Sequence, residues 1–313
     1  MLKICSIPGK EFERVSGSDI NKYDKLSLIA DMCRLNTLSA VKLAGSGHLG
    51  SSFSAIDIMV MLYFNELNTL KLGIDNPDRD IFFSSKGHDC PGYYSVLAAA
   101  GVISFDMLFK LRRLGGLDGH PDVGIPGVET NSGSLGMGIS KGRGMAIAKK
   151  LGDKGGSVFV LTGDGELQEG QIWESLQTTV HQKIHNINII VDNNRIQSDK
   201  PVKEIIDLGD LVRKFEAFGW HVEQCDGHDF CKLEESFARL REITDYPKVL
   251  IADTVKGKGV SFMEGMTALK EGNGLYHWHS GAPGDDHYER GFAEILNRID
   301  INLNKSSLEK ISL

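Results

Sequence analysis

The sequence predicts an α/β fold, a doubly wound and mostly parallel sheet flanked by helices. Three short apolar runs rich in β-branched residues have the length of buried parallel strands, and they lie at 158–161, 187–191 and 249–252. Polar or glycine-rich residues follow each run directly. Helical periodicity separates the runs, and alternating strands and helices are typical of parallel sheets.

The remaining elements can be predicted in chain order. Apolar residues recur at helical spacing from Lys25 to Leu43, and a second helix is predicted from about Ala55 to Leu67. Further helices are predicted at roughly 137–150, 169–182, 207–217 and 229–243, with an additional strand at 219–224 and a last helix from Asp286 to about Asn302.

One main domain with short extensions is the predicted organisation. A chain of 313 residues has room for two or three domains, but it contains no internal repeat, low-complexity block or proline-rich linker. We therefore predict a lead segment at 1–24, a ligand-binding domain at 25–284, and a C-terminal helix and tail at 285–313. The lead shows no clear period and is interpreted as a flexible segment or a strap over a neighbour.

Composition excludes several classes of protein. A formal net charge of −7 argues against a general nucleic-acid binder. Five cysteines without a C-x-x-C spacing argue against a zinc module or a disulfide framework. No signal peptide and no run of about 18 apolar residues is present, so a cytoplasmic protein without a membrane anchor is predicted. Glycine is in excess, at 36 residues, which indicates close approaches of the backbone to a ligand.

Candidate metal ligands follow two of the predicted strands. The first run ends in Gly163-Asp164-Gly165 and the second in Asp192-Asn193-Asn194. In doubly wound sheets ligands bind at the carboxyl ends of the strands, so neighbouring strands would bring Asp164 and Asn194 together. Such hard oxygen ligands suit Mg²⁺ bound to phosphates, and a magnesium diphosphate site is predicted. A tight turn is the alternative for Gly-Asp-Gly alone, and Asp192 is interpreted as capping or turning the loop.

Histidines beside glycines form a second group of candidates. They lie in the segments 46–50 (SGHLG), 85–88 (SKGH) and 119–121 (GHP), and a fourth histidine, His279, follows a tryptophan. A glycine-rich loop at 130–138 precedes a predicted helix. Each histidine alone could be a structural or capping residue, and the glycine loop alone could serve packing. Their number and arrangement instead favour a ligand site.

In this order the motifs resemble the diphosphate-binding half of the transketolase family. Gly-Asp-Gly followed by Asn-Asn is similar to the thiamine diphosphate motif, and the resemblance runs from about Leu26 to about Pro283, including the segments 254–259 and 278–283. It implies the thiamine diphosphate-binding fold. It also implies two cofactors, thiamine diphosphate and Mg²⁺, with Ca²⁺ or Mn²⁺ able to replace the magnesium.

The resemblance assigns roles residue by residue. It makes Asp164, Asn194 and the Ile196 carbonyl the metal ligands. It implies that the cofactor is contacted by His88, Gly133, Ser134, Leu135, Gly165, Glu169, Asn194 and His279.

The same resemblance implies the catalytic group. Its members are His48, His88, His120, His279 and Glu169. The resemblance places His48, His120 and His279 along the channel to the reactive carbon, where histidine suits proton transfer because its ordinary pKa is ~6.5. Glu169 would link the two cofactor sites of a dimer, and an ordinary carboxylate at a helix start is its alternative. Lys256 and Lys258 would approach phosphate or form a solvated turn.

The implied activity is transfer of a two-carbon ketol unit from a ketose to an aldose, each a sugar or a sugar phosphate. Only about 30 residues follow Pro283, too few for the second domain that binds the pyrimidine ring of the cofactor. The chain therefore resembles the N-terminal subunit of a split transketolase, which implies an α₂β₂ heterotetramer with a separate C-terminal subunit.

Departures from the family pattern leave the substrate open. His88 is followed by Asp89-Cys90-Pro91, and the stretch from Met263 to Tyr276 is specific to this chain. Either could reshape the mouth of the channel, so a sulfonated, deoxygenated or branched sugar remains open.

Three alternative functions also remain open. The first is the α subunit of a 2-oxoacid dehydrogenase, and the second is an enzyme similar to 1-deoxyxylulose-phosphate synthase. The third is a non-catalytic subunit that binds cofactor or regulates a partner.

Overall fold

The computed structural model describes residues 4–313, and residues 1–3 of the predicted lead lie outside the described residues. The strands are β1 (Ile81–Ser84), β2 (Val158–Gly163), β3 (Ile187–Asn193), β4 (Ile196–Gln197), β5 (Lys200–Pro201), β6 (His221–Asp226) and β7 (Lys248–Asp253). The helices are α1 (Gly9–Ser16), α2 (Lys22–Ala44), α3 (Leu49–Met61), α4 (Thr69–Leu72), α5 (Cys90–Ala99), α6 (Phe105–Leu108), α7 (Gly138–Leu151), α8 (Gly170–His181), α9 (Val202–Ile205), α10 (Leu211–Ala217), α11 (Phe230–Arg241), α12 (Gly265–Glu271) and α13 (Asp285–Lys305).

The described residues divide into two compact units. Residues 4–64, 88–119 and 255–313 form one of them, which we call the helical unit. Residues 65–87 and 120–254 form the other, which we call the sheet unit. The division of the chain into segments 1–24, 25–284 and 285–313 stays a prediction.

Five parallel strands form the centre of the sheet unit, in the order β1-β2-β3-β7-β6. All six residues of β2 are buried, as are six of the seven in β3, which explains why both are largely apolar without alternating. Gly163 pairs in register with Asp192. This parallel sheet confirms the predicted fold class, and its register brings the ends of β2 and β3 to the same edge.

Helices cover the sheet through apolar faces and small residues. Helix α7 packs against β2 and β3, while α11 packs against β6 and β7. The approach of α7 depends on Gly142, because a Cβ at that position would lie 2.5 Å from Val160 Cγ2. On α8, Ile172 and Leu176 are buried in the core of the sheet unit. These contacts fix the strand ends that carry the candidate ligands.

Most predicted helices and strands of the sheet unit are confirmed, with three short strands missed. The predictions at 137–150, 169–182 and 229–243 match α7, α8 and α11 within two residues at each end. Strands β1, β4 and β5 were not predicted, because two to four residues are too few to establish a period. The predicted strand at 219–224 corresponds to β6.

Helix α2 is the central element of the helical unit, where it packs against α3, α5 and α13. Its buried residues include Arg34, whose guanidinium is paired with Asp31 and Asp57. The helix ends at Gly45, which has the left-handed φ of 74° that favours glycine. None of the helices in residues 4–313 combines the length and apolar character needed to span a membrane.

Residues of the predicted lead segment are attached to α2. The side chain of Asn36 accepts a hydrogen bond from the Ile7 amide at 2.7 Å and donates one to the Ile7 carbonyl at 2.9 Å. Helix α1 follows and buries Phe12 and Val15. No sequence pattern predicted this helix, because eight residues show little periodicity.

Candidate active site

The two predicted metal-binding side chains come together at the ends of β2 and β3 in the sheet unit. Asp164 follows β2, and its carboxylate accepts hydrogen bonds from the Gly165 amide at 2.7 Å and from the Arg195 amide. Asn194 follows β3, and its amide oxygen accepts from the Ile196 amide at 3.1 Å. The loop that carries Asn194 and Ile196 is thus bonded directly to Asp164. The sequence predicts this convergence if the two strands are neighbours, and β2 does pair with β3.

A buried ion pair holds the side chain of Asn194. Its Nδ2 donates to Asp192 Oδ2 at 3.2 Å, and Lys86 Nζ donates to the same oxygen at 2.6 Å. The other oxygen of Asp192 accepts from the Thr254 hydroxyl. Asp192 is fully buried, and its contacts fit the interpretation that it shapes the loop. The amide oxygen of Asn194 consequently points away from the carboxylate of Asp192.

A second buried carboxylate, Glu166, joins the Gly-Asp-Gly turn to the glycine-rich loop. It accepts hydrogen bonds from the Ser85 hydroxyl, from the Gly136 amide at 2.9 Å and from the Gly163 amide at 3.2 Å. Burial raises the pKa of Glu166, although these hydrogen bonds oppose the shift. Glu166 therefore fixes the positions of three segments of the site.

The glycine-rich loop lies against His120. Gly133 has a φ of 116°, and a Cβ built on it would lie 2.5 Å from His120 Cδ2. Both the backbone conformation and the lack of space thus require glycine here. Ser134 and Leu135 follow on the exposed side of the loop, and His120 itself is exposed. The loop and this histidine form one surface of the sheet unit.

The Mg²⁺ proposed from the sequence fits the oxygen ligands present. Asp164 and Asn194 offer the hard oxygen atoms that Mg²⁺ prefers. Gln197 Oε1 is buried and has no hydrogen-bond partner among residues 4–313, so the site contains an acceptor that a bound water or ligand could satisfy. A Cβ at Gly165 would lie 2.8 Å from Gln197 Cγ, which shows how closely the turn approaches this side chain.

Glu169 lies apart from these buried groups. It is exposed at the residue preceding α8 and makes no side-chain capping hydrogen bond. A Cβ at Gly136 would lie 2.6 Å from Glu169 Cβ, so the residue borders the glycine-rich loop. Its exposure leaves the carboxylate available to a partner chain, and its role stays a prediction.

Three of the four predicted histidines cluster in the helical unit. The ring centroids of His48 and His88 are 5.3 Å apart, and that of His279 lies 5.2 Å and 5.4 Å from them. His48 directly precedes α3 and His88 lies two residues before α5. All three histidines are partly exposed. His120, the fourth, belongs to the sheet unit.

The electrostatic environment keeps His279 neutral. Burial, the positive charge of Lys256 and the nearby His48 lower the pKa of His279 to about 3. Its Nδ1 is buried and has no hydrogen-bond partner among the described residues. His279 therefore presents a neutral imidazole, whereas an ordinary pKa near ~6.5 was assumed from the sequence.

Neighbouring aromatic residues hold the loop that carries His279. The Trp278 ring packs against Phe262 and His287, with centroid distances of 5.2 Å and 4.9 Å. The Trp278 carbonyl accepts a hydrogen bond from the Gly50 amide at 3.2 Å. The loop is thereby joined to the first turn of α3, close to His48.

The departures from the family pattern lie in structured parts of the helical unit. Asp89 and Cys90 are buried. The stretch from Met263 to Tyr276 contains α12, and Tyr276 donates a hydrogen bond to the Met263 carbonyl at 2.9 Å. Lys256 is buried with its Nζ 5.1 Å from the centre of the Tyr276 ring. An effect of these residues on a substrate channel stays a prediction.

Sequence reasoning missed Lys86 and Glu166 as members of the site. Lys86 belongs to one of the histidine segments, and Glu166 is simply the residue after Gly-Asp-Gly. Each acts through contacts with segments distant in the chain. In the sequence, the only indication of a role for Lys86 and Glu166 was their position next to the glycine motifs.

Comparisons with known proteins identify the family of this chain. Residues 26–275 match a family model described as the transketolase thiamine diphosphate binding domain. One of the subunits of the apulose-4-phosphate transketolase of Actinobacillus succinogenes is 38% identical over 277 residues, covering 87% of this chain and 96% of that protein. The 6-deoxy-6-sulfo-D-fructose transketolase subunit SqwG of a Clostridium species is 34% identical over 241 residues, covering 76% of this chain and 88% of that protein.

A solved transketolase has the same fold. The enzyme from Leishmania mexicana superposes with a TM-score of 0.76 at 24% identity, covering 92% of this chain and 46% of the solved one. The chain thus spans about half the length of that transketolase, whereas it spans nearly all of the two subunits. At this identity the superposition is evidence for the fold alone.

Proposed function

The chain belongs to the transketolase family, and on that premise we propose that it is the N-terminal, thiamine diphosphate-binding subunit of a two-chain transketolase. The observation that carries the proposal is the convergence of Asp164 and Asn194 at the ends of adjacent parallel strands. The proposed reaction is Mg²⁺-dependent transfer of a two-carbon ketol unit, a glycolaldehyde transfer, from a ketose to an aldose.

In this proposal the sheet unit holds the diphosphate. Asp164, Asn194 and the Ile196 carbonyl would bind Mg²⁺, and the glycine-rich loop with Gly165 would contact the cofactor. When bound, thiamine diphosphate supplies the carbanion that breaks the carbon–carbon bond of the ketose. Buried donors such as the Gly136 amide are already used by Glu166, so that glutamate shapes the loop rather than binding the diphosphate.

The histidines would bind and orient the sugar. His279 is neutral, so it can donate a hydrogen bond from one nitrogen and accept one at the other. Neutral imidazole suits recognition of sugar hydroxyl and carbonyl oxygens better than it suits binding of an extra anion. His48 and His88 contribute to the same cluster, and His120 would act beside the glycine-rich loop.

A separate C-terminal subunit is the proposed partner. Two relatives named as subunits align over most of their own length with this chain, and the solved transketolase is about twice as long. We propose an α₂β₂ heterotetramer in the cytoplasm, with Glu169 exposed for contact between cofactor sites.

The proposed substrates are sugars or sugar phosphates of the less common kinds. The two related subunits are named for apulose 4-phosphate and for 6-deoxy-6-sulfo-D-fructose. A chain similar to both can serve an unusual donor, and a screen should therefore include branched, deoxygenated and sulfonated ketoses beside the ordinary ketose phosphates.

The test is reconstitution of the chain with its partner subunit, Mg²⁺ and thiamine diphosphate. We expect ketol transfer by the complex and little by the chain alone. Asp164→Ala should lower the rate by at least about 100-fold in an intact complex, since it removes a metal ligand. Asp207→Ala is the matched control, because that exposed aspartate of the sheet unit makes only surface contacts, with Lys203 at 3.9 Å and with the Gly209 amide at 2.9 Å.

Two outcomes would contradict the proposal. One is full ketol transfer by the chain without a partner, which would remove the need for a second subunit. The other is decarboxylation of 2-oxoacids without ketol transfer to any aldose, which would favour the 2-oxoacid dehydrogenase alternative. Assembly of the Asp164→Ala complex is checked by its elution volume.

A further inference from the structure

The ion pair between Lys86 and Asp192 lies inside the sheet unit, next to the candidate metal ligands. Lys86 is 3% exposed and Asp192 is 0% exposed. The distance from Lys86 Nζ to Asp192 Oδ2 is 2.6 Å. Moving two charges out of water is costly, and hydrophobic residues of similar size are often equally stable in such places. The pair therefore calls for an explanation besides stability.

The geometry of Asp192 supplies one. Its Oδ2 receives both the Lys86 ammonium and the amide nitrogen of Asn194. An ionised carboxylate accepts hydrogen bonds at both oxygens, so it selects the nitrogen end of the neighbouring amide. The oxygen end of Asn194 is left facing the Ile196 amide. An amide oxygen has two lone pairs, so it can bind a cation besides accepting a hydrogen bond.

Lys86 also touches the Gly-Asp-Gly turn. A Cβ built on Gly163 would lie 3.1 Å from Lys86 Cδ, so the alkyl part of the lysine lies along this glycine. Its ammonium reaches the end of β3, and its backbone belongs to the segment that follows β1. One side chain thus spans the ends of three adjacent parallel strands.

We propose that Lys86 and Asp192 form a positioning pair that orients the amide oxygen of Asn194 toward Mg²⁺. The inference rests on the proposed function. Neither residue contacts the metal, and both act through Asn194. Loss of the pair should weaken Mg²⁺ binding even where the fold is retained, because the Asn194 amide loses the acceptor that fixes its orientation.

The test compares Lys86→Met, Asp192→Leu and the double variant in the complex of the full chain with its partner subunit. The readout is the Mg²⁺ concentration that gives half-maximal binding of thiamine diphosphate, followed by tryptophan fluorescence. Each single variant should need at least about tenfold more Mg²⁺, the usual effect of removing a group that orients a metal ligand.

The double variant separates positioning from stability. Replacing both charges by apolar side chains should bring the midpoint of thermal unfolding back toward the wild type. It should leave the Mg²⁺ requirement raised, because the Asp192→Leu change removes the acceptor that Asn194 uses. Recovery of Mg²⁺ affinity in the double variant would overturn the inference.

Asp192→Asn and Lys149→Met complete the comparison. In Asp192→Asn, the nitrogen of the new amide can donate to the Thr254 hydroxyl, and its oxygen can still accept from Asn194. The Mg²⁺ requirement of Asp192→Asn should therefore rise less than that of Asp192→Leu. The second replaces a buried lysine that bonds the carbonyls of Pro77, Arg79 and Gly155. It should lower thermal stability and change the Mg²⁺ requirement less than about twofold, because those carbonyls lie outside the positioning pair.

Failure of the positioning role and failure of the proposed function would give different results. Equal Mg²⁺ requirements for wild type, Lys86→Met and Asp192→Leu would overturn the positioning role and leave the proposed function intact. A wild-type complex that binds no thiamine diphosphate at any Mg²⁺ concentration would overturn the proposed function, and the inference with it.

Discussion

His279 illustrates how a single residue acquires its properties from its neighbours. Burial and the charge of Lys256 lower its pKa to about 3, so the imidazole stays neutral across the physiological range. A neutral ring can relay hydrogen bonds without carrying charge. In the chain alone, this ring should therefore not change its charge near neutral pH.

The lowered pKa predicts how stability changes with pH. The unfolded chain binds a proton at His279 near its ordinary pKa of ~6.5, whereas the folded chain binds it near 3. Between these values the unfolded state holds more protons, so the contribution of His279 to stability is present above about pH 6.5 and is lost as the pH falls.

Urea unfolding at several pH values between about 4.5 and 7.5 checks this prediction, since the window lies between the two pKa values. The free energy of unfolding of the wild type should fall more steeply on acidification than that of His279→Gln, which has no ionisable group there. Parallel curves for the two proteins would show that His279 titrates normally in the folded chain.

The convergence of Asp164 and Asn194 could be predicted from the positions of the strands. Asp164 and Asn194 come directly after apolar runs, and parallel strands bring such positions to one edge. Lys86 and Glu166 could not be predicted, because their roles depend on side-chain contacts across three segments. No local pattern encodes such contacts.

Helix α7 shows how an element's environment decides the effect of one substitution. Gly142 and Gly144 are two residues apart on this helix, but only Gly142 faces β2. A Cβ there would lie 2.5 Å from Val160 Cγ2, whereas a Cβ at Gly144 would meet nothing within 4 Å. Gly144 is exposed.

We therefore expect opposite effects of the same change. Gly142→Ala should destabilise the protein by about 1–3 kcal/mol, because the helix must move away from β2. Gly144→Ala should stabilise it by about 0.5–1 kcal/mol, because alanine favours the helical backbone. Chemical unfolding of the two variants checks both signs, and equal effects would show that α7 does not approach β2 this closely.

Elements of the helical unit were harder to predict than those of the sheet unit. Every residue of α3 is buried, so no polar face shows the helical period. Its first turn contains glycine and serine, which are weak indicators of a helix. The prediction began at Ala55, whereas α3 begins at Leu49. Helix α5 is likewise buried along most of its length and was not predicted.

At the scale of the whole molecule, cofactor binding should couple to stability. A ligand that binds only the folded state stabilises it by about 2.7 kcal/mol at about 100 times its dissociation constant. Thiamine diphosphate with Mg²⁺ should therefore raise the midpoint of thermal unfolding of the complex, and thiamine diphosphate with a chelator should not. An identical midpoint in all mixtures would contradict binding.

The sugar could not be predicted from the sequence, and the partner chain stays a proposal. Its support comes from two relatives named as subunits, which this chain matches over most of their own length. The groups that select the sugar depend on loop shape and on the proposed second chain, which no local pattern specifies. Buried residues such as Asp89 and Cys90 show that an unusual sequence need not lie at a surface.

The position of β3 in the middle of the sheet has a further consequence for how the site persists. A strand flanked on both sides and buried along six of seven residues belongs to the part of a protein whose amide hydrogens exchange most slowly with solvent. The loop bearing Asn194 starts at this strand, so it is anchored where local opening is rarest. Asn194, a proposed metal ligand, should therefore keep its place while cofactor leaves and returns.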